Sequence, residues 1–493
     1  MKKIMRSVLF LAAVFTMASC SNDWLDVDPS DSLPTSEAIS NYKDATSALN
    51  GIYDGLQGNS DAVSYYARNM FFYGDVRGDD MQARTQGMRS SSLYEMRYTE
   101  DDAPAIWVTP YNVIRRANNL IEAIEAGKVN DASEVELNNM VAQAKAVRAL
   151  VHFDLARIYG KPYTVDNGAS AGIPIVTRPV AASEQLTRNT VAEVYEQVIS
   201  DLTEAINSNA LSEEKTLGMF NVWAAKALLS RVYLYKGDNE NALAMAEDVI
   251  NNSPYALWTT DEYVDGWVGD NRKEMILEIV NYSSADWADR EGIAYCLNET
   301  GYADAIVTQA FSDLLNKDMN DVRQGVILKA TDPTLGFMEE YGDQQVFVNK
   351  FPAKEPGGDY RVSNLPLLRV SEMYLNAAEA AAKLGQSDKA AQYLNAIVLR
   401  ANPEATEVSP AEATVDRILD ERRLELVGEG HRFFDLMRNN KTVVRYESLD
   451  NMGRHYALIQ ESTKFDNTYF RAILPIPISE INANPNIEQN PGY

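Results

Sequence analysis

The stretch ILDERRLELVGEGHRFFDLMRNN, residues 418–440, decides how the rest of the chain is read. Ile418, Leu424 and Val427 recur at helical spacing. Glu421, Arg422, Arg423 and Glu425 fill the positions between them, so the stretch begins as an amphipathic helix whose opposite charges lie within reach of one another. Gly428 and Gly430 break that helix. His431 and Arg432 then lead into Phe433, Phe434, Leu436 and Met437, a second short apolar turn that carries Asp435 and Arg438. A charged helix, a glycine corner and an aromatic turn in this order predict that the chain folds back on itself here, with Glu and Arg side chains tying two helices together.

Two further segments flank this one. LLRVSEMYLNAAEAAAKLG stands before it at 367–385, and ILPIPISEINANPNIEQNPGY closes the chain at 473–493. The three in this order resemble the C-terminal region of the SusD/RagB family, surface lipoproteins that capture nutrients for TonB-dependent transporters in Gram-negative bacteria. The resemblance extends from the 24–29 tether through the 144–160 helix to the terminal NPGY.

An internal repeat supports a helical scaffold independently of that resemblance. Residues 227–250, ALLSRVYLYKGDNENALAMAEDVI, align with 375–398, LNAAEAAAKLGQSDKAAQYLNAIV, so that Gly237 matches Gly385, Ala242 matches Ala390 and Val249 matches Ile397. A helix ending in Gly, a short polar turn and an Ala packed into the next helix is the tetratricopeptide pattern, in which small residues let paired helices approach closely. Weaker pairs at 106–159 and 191–250 bring the scaffold to about four units, above the roughly three that such arrays need. The fold class expected is mainly α, a tetratricopeptide-like scaffold of helical pairs with irregular loops and a few short strands.

The chain divides accordingly into a signal peptide (1–19), a tether (20–40), a helical N-terminal region with an aromatic-rich loop insert (41–250), a second loop-rich insert (251–365) and the C-terminal region (366–493). The first of these places the protein. Lys2, Lys3 and Arg6 precede the apolar run Val8 to Phe15, and small Ala18 and Ser19 precede Cys20; this is too short for a spanning helix, which needs about 20 apolar residues. Met-Ala-Ser-Cys resembles a bacterial lipobox, which implies cleavage before Cys20, its acylation and a lipid anchor in the outer membrane. Asp23, Asp26 and Asp28 are similar to the acidic signal that sends such lipoproteins to the outer face. With Cys20 lipidated, Cys296 has no partner, so disulfides do not hold the fold, and Cys296 reads as a small buried hydrophobe.

At 493 residues the chain can bury a large core, and its net charge of -26 argues against tracking a phosphate backbone, so no nucleic-acid partner is expected. Catalytic motifs are weak. GASAG at 168–172 matches G-x-S-x-G, but Ile173, Pro174 and Ile175 follow where a nucleophile elbow needs a helix. His152, His431 and His455 do not stand at zinc-binding spacing, and no metal or cofactor is expected.

Sugar binding needs other parts: a ring to stack on the apolar face of a pyranose, and Asp, Asn, Arg or Gln side chains for its hydroxyls. SusD-like proteins carry an arc of loop aromatics of this kind, which the resemblance places in the irregular 57–104 span and in the second insert. By position the candidates are Asp80, Arg89 and Tyr94 in the first, and Trp287 and Tyr295 in the second; Trp107, Trp223 and Trp258 read as core. The resemblance implies a non-catalytic lipoprotein that captures an oligosaccharide and acts as the lid of a SusC-like TonB-dependent transporter. A peptide ligand, as the RagB side of the family implies, a glycan-processing enzyme and a purely structural transporter subunit are the alternatives; mixed acidic and aromatic loops favour the glycan.

Overall fold

The computed structural model describes residues 38–58, 65–102, 106–181, 183–268, 273–281, 290–355 and 357–493. The signal peptide, Cys20 and the acidic tether, and with them the lipobox, lie outside the described residues, as does Trp287. The longer helices are α1 (Tyr42–Gln57), α3 (Val108–Glu125), α4 (Glu134–Tyr159), α5 (Val191–Asn207), α6 (Val222–Lys236), α7 (Asn239–Asn252), α9 (Val370–Lys383), α10 (Ser387–Ala401) and α11 (Val415–Leu426); the short α2 (Asn69–Asp75), α8 (Ile293–Leu297) and α12 (Arg432–Arg438) complete the set used below.

Each long helix packs on the next: α1 on α3, α3 on α4, α4 on α5, α5 on α6 and α6 on α7. Helix α7 then packs on α9, although the whole second insert separates them in sequence, and α9 packs on α10 and α11. The predicted helical-pair scaffold is therefore one continuous array. Its boundaries are set locally. Ser133 with Glu136 and Thr190 with Glu193 form capping boxes at the starts of α4 and α5, satisfying backbone donors that the first turn leaves free. Gly237 and Gly385, the two matched repeat positions, follow α6 and α9 with φ of +85° and +72°, and the matched Ala242 and Ala390 are fully buried where the following helices return. Helix α4 lies inside the array and buries nearly every side chain from Met140 to Tyr159, His152 included.

The 57–104 span is less irregular than its composition predicts. It contains α2, strand β1 (Met81–Ala83) and a helical turn at Ser91–Glu95, and Tyr65, Tyr66, Phe71, Phe72, Tyr73, Tyr94 and Tyr98 are all buried. Its aromatics form core because this span packs into the glycine corner between α11 and α12. A Cβ on Gly74 would stand 1.9 Å from the Gly430 carbonyl oxygen, so the two backbones meet at a distance only glycine permits. The Gly430 amide donates to Asp75 Oδ2 at 2.8 Å, and Arg432 reaches Asp79 at 2.6 Å.

The corner itself folds as predicted, with its charges inside. Arg422 meets Asp435 at 2.9 Å across the turn, and Arg438 joins Asp435 and Glu379 of α9, each at 2.6 Å. Glu425 faces inward too, against Arg400 at 2.6 Å and Arg369 at 3.2 Å; Arg369 also binds Glu274 and Glu429, and Arg323 binds Glu421. Two ion clusters thus meet on α11, one tying it to α9 and α12 and the other to α10 and the insert.

The strands are short and antiparallel. Strand β2 (Met275–Ile279) pairs with β6 (Leu365–Arg369), β4 (Ile327–Lys329) with β5 (Gln345–Val348), and β1 with β3 (Ala305–Val307). The last pair, with Met81 opposite Val307 and Ala83 opposite Ala305, fastens the first span to the second insert. Trp107, Trp223 and Trp258 are core residues, as expected. Cys296 is buried, and burial pushes its thiol well above the ordinary range.

Candidate functional site

The β1–β3 ladder brings together two loops remote in sequence. Beyond β1 the chain turns at 84–90, and ahead of β3 it folds back over α8. Asp304 joins them: its carboxylate accepts from the backbone amides of Met88 and Arg89 at 3.1 Å and of Ser90 at 2.8 Å, and from the Ser90 hydroxyl at 2.6 Å. Arg89 is thereby carried over the second insert, where its guanidinium lies 3.5 Å from the ring centre of Tyr302.

Helix α8 buries Ile293, Ala294, Cys296 and Leu297 and leaves Tyr295 partly exposed. The loop after it returns tightly. The Tyr302 amide donates to the Tyr295 carbonyl at 2.7 Å, and a Cβ on Gly301 would stand 2.2 Å from that same oxygen, so the return requires glycine. Tyr302 consequently sits beside Tyr295, with ring centres 6.2 Å apart. A third ring comes from the turn Tyr360–Val362, capped by Asp359; Tyr360 meets Tyr295 edge-on at 5.8 Å. All three rings are partly exposed.

Polar groups hold this platform from its edges. The Tyr295 hydroxyl donates to Asp359 Oδ1 at 3.1 Å, and Arg361 Nε donates to Asp359 Oδ2 at 2.8 Å. That hydrogen bond from Arg361 holds the Asp359 carboxyl down at about 2, so it stays an acceptor for Tyr295 throughout the ordinary pH range. Glu291 takes Arg89 and Arg68, the latter at 3.0 Å, and the hydrogen bond from Arg89 lowers its pKa despite partial burial. Behind the rings, Gln57 donates to Asn281 at 2.6 Å, and Asn281 donates to the Ser363 carbonyl at 2.7 Å. Partly exposed aromatic faces rimmed by Arg, Asp and Glu side chains can stack a sugar ring and bond its hydroxyls.

Of the five residues expected at such a site, Arg89 and Tyr295 come together in this cluster through the ring of Tyr302, Arg89 paired with Glu291 and Tyr295 with Asp359. Asp80 and Tyr94 do not, and the expectation for them is corrected. Asp80 is 1% exposed and bound to Arg423 and Arg432, a charge buried against two guanidinium groups. Tyr94 is fully buried; its hydroxyl meets His455 Nδ1 at 2.5 Å, Tyr456 packs edge-on against its ring, and the Arg445 guanidinium lies 4.5 Å from its centre. Position in a loop-like span suggests both residues, but that span is core.

The cluster also contains Tyr302, Tyr360, Glu291 and Asp359, which sequence reasoning does not single out. Tyr295 and Tyr302 flank Gly301 in YCLNETGY, a tight-return signal that was readable; nothing local marks Tyr360 as their neighbour. Ser170 follows a helical turn at Tyr163–Asp166 and runs into extended chain, the reverse of a nucleophile elbow. Among the described residues no group of His, Cys, Asp and Glu is arranged to hold a metal ion, and no helix is long and apolar enough to cross a membrane.

Known proteins share this architecture. The chain matches the model of the SusD family over residues 244–493 and that of the family described as starch-binding, associating with outer membrane, over 23–234. A SusD-like protein of Formosa agariphila is 26% identical, over 100% of this chain and 99% of its own. A SusD superfamily protein of Bacteroides thetaiotaomicron, solved by crystallography, is 38% identical, with 92% of this chain and 100% of that one covered and a TM-score of 0.84. A laminarin-binding SusD-like protein superposes with a TM-score of 0.70 at 26% identity, covering 92% of this chain and all of its own. With more than half of its length matched by the family model and its helical array shared end to end, the chain belongs to the SusD family.

Proposed function

We propose that this protein is a non-catalytic binding protein that captures an oligosaccharide on the platform of Tyr295, Tyr302 and Tyr360 at the outer surface of the cell. The observation that carries the reading is the convergence of three partly exposed rings with Arg89, Glu291 and Asp359, drawn from segments far apart in sequence. A stacked pyranose buries its apolar face on such rings, and the charged rim supplies hydrogen bonds without any cofactor. The relative that binds laminarin supports the same ligand class. Trp287, in the sequence of the same insert, remains a candidate for the arc.

In this reading Cys20 carries the lipid anchor, and the body acts as the lid of a SusC-like TonB-dependent transporter, passing the glycan to the barrel. Anchoring needs more than one acyl chain, since a single chain gives only marginal membrane affinity. Calorimetry of the protein lacking its first 20 residues, against laminarihexaose and a panel of other oligosaccharides and peptides, tests the ligand class. Saturable glycan binding that weakens about tenfold in Tyr295→Ala, roughly 1.4 kcal/mol, is the expected result; binding of peptides alone would replace the glycan reading. Fractionation of Cys20→Ala cells tests the anchor, and a variant that stays in the membrane fraction refutes it.

A further inference from the structure

The platform is richer in arginine than the molecule as a whole. The chain as a whole stands at -26, yet the described residues around the three rings include Arg68, Arg89, Arg290 and Arg361. Most of these charges are answered. Arg68 and Arg89 share Glu291, Arg89 also lies 3.6 Å from buried Asp304, and Arg361 is held by Asp359. Arg290 is different: it is exposed, its guanidinium stands 5.9 Å from the ring centre of Tyr295, and it has no ion pair among the described residues.

We infer that the sugar unit seated on Tyr295 carries an anionic group, a carboxylate or a sulfate ester, and that Arg290 is the residue that recognises it. This rests on the reading of the platform as a glycan site. A planar guanidinium presents paired N–H donors that match the oxygens of a carboxylate or sulfate, and at 5.9 Å from the centre of the Tyr295 ring it is within reach of an anionic group projecting from a pyranose stacked there. The overall negative charge does not prevent this. At physiological ionic strength charges beyond about 8 Å are largely screened, so a bound anion responds to the arginines at the rim rather than to distant acidic helices. The adjacent carboxylates are already committed: Glu291 to two arginines, Asp359 to Arg361 and Tyr295. A neutral glycan would leave the Arg290 charge unused; an anionic one completes it.

The test uses two matched pairs, oligogalacturonate with its methyl ester and a sulfated galactan oligosaccharide with its desulfated form, together with laminarihexaose. Binding is measured by calorimetry on the protein and on Arg290→Gln and Arg290→Lys. The expected result is that the charged member of one pair binds at least tenfold more tightly than its neutral counterpart. Arg290→Gln abolishes that difference, and Arg290→Lys, which keeps the charge and loses the paired donors, retains part of it. The pair that responds identifies carboxylate or sulfate as the group. Equal affinity within both pairs, a preference for laminarihexaose alone, or a preference untouched by Arg290→Gln overturns the inference and leaves the glycan site standing. Absence of binding to all five glycans overturns the glycan site as well. Because Arg290 is exposed, both variants should keep the parent melting temperature, and that measurement guards against an unfolding artefact.

Discussion

Asp80 shows how much depends on where a single carboxylate ends up. In sequence it stands among loop aromatics, where an acid reads as a hydrogen-bond partner for a sugar. In the fold it is the counter-ion of Arg423 and Arg432 beneath the glycine corner. Replacing one partner of a buried ion pair leaves the others uncompensated, typically at several kcal/mol. Asp80→Ala should therefore lower stability by about 3 kcal/mol in denaturant unfolding, while glycan affinity measured well below the melting temperature stays at the parent value. A selective loss of affinity with stability intact would return Asp80 to the binding site. Tyr295 should behave in the opposite way, since its ring is partly exposed and its hydroxyl bonds only the rim: Tyr295→Ala loses ligand and changes stability little.

At the scale of elements, the decisive contacts are two glycines that let backbones meet. Gly74 on α2 touches Gly430 between α11 and α12, and Gly301 lets the loop after α8 return onto the Tyr295 carbonyl. They answer different questions. Gly74→Ala forces apart the first span and the corner, and overpacking of this kind costs up to about 3 kcal/mol, so its melting temperature should drop by several degrees. Gly301→Ala strains only a surface return; it should displace Tyr302 from Tyr295 and weaken glycan binding by more than it lowers stability. If Gly301→Ala binds laminarihexaose or any other ligand of the parent equally well, Tyr302 is not part of the platform.

Between pH 7 and 5 the whole molecule responds to pH chiefly through its three histidines, which outnumber Asp75, a carboxyl that burial pushes well above its ordinary value and that acts in the opposite sense. Burial, reinforced by Arg148, holds His152 at about 3, and burial with Arg445 does the same for His455; burial also holds His431 well below its ordinary value, with Glu372 opposing. Each is neutral in the fold and takes a proton once unfolded, near its ordinary value of 6.5. The unfolded state then binds more protons, so stability falls as the pH drops below about 6.5 and goes on falling toward 3. Glu425 adds to this lower down: burial opposes its charge, but Arg400, Arg369 and Arg323 outweigh that and keep it at about 2, so its contribution is present above the carboxylate range and is lost between about 4 and 2. Melting temperatures at pH 7, 6 and 5 should decline steadily. A flat profile over that interval would mean that the histidines titrate in the fold.

The sequence by itself determined the scaffold. Helical periodicity, the matched Gly237 and Gly385 and the GEG corner are local signals, because hydrogen bonding within a helix and the backbone freedom of glycine depend on neighbours a few residues away. The sequence also put Arg89 and Tyr295 in loop-like segments, and both are partly exposed in the fold. What only the tertiary structure decided is which residues of one type are core and which are surface. Tyr94 and Tyr295 both stand in segments that read as loops, yet one is enclosed by His455, Tyr456 and Arg445 from the far end of the chain, and the other is partly exposed beside Tyr302 and Tyr360. Those enclosing groups arrive through long-range packing, the β1–β3 ladder and the buried ion network, whose free energy comes from contacts between segments hundreds of residues apart and leaves no periodicity in the sequence around either tyrosine.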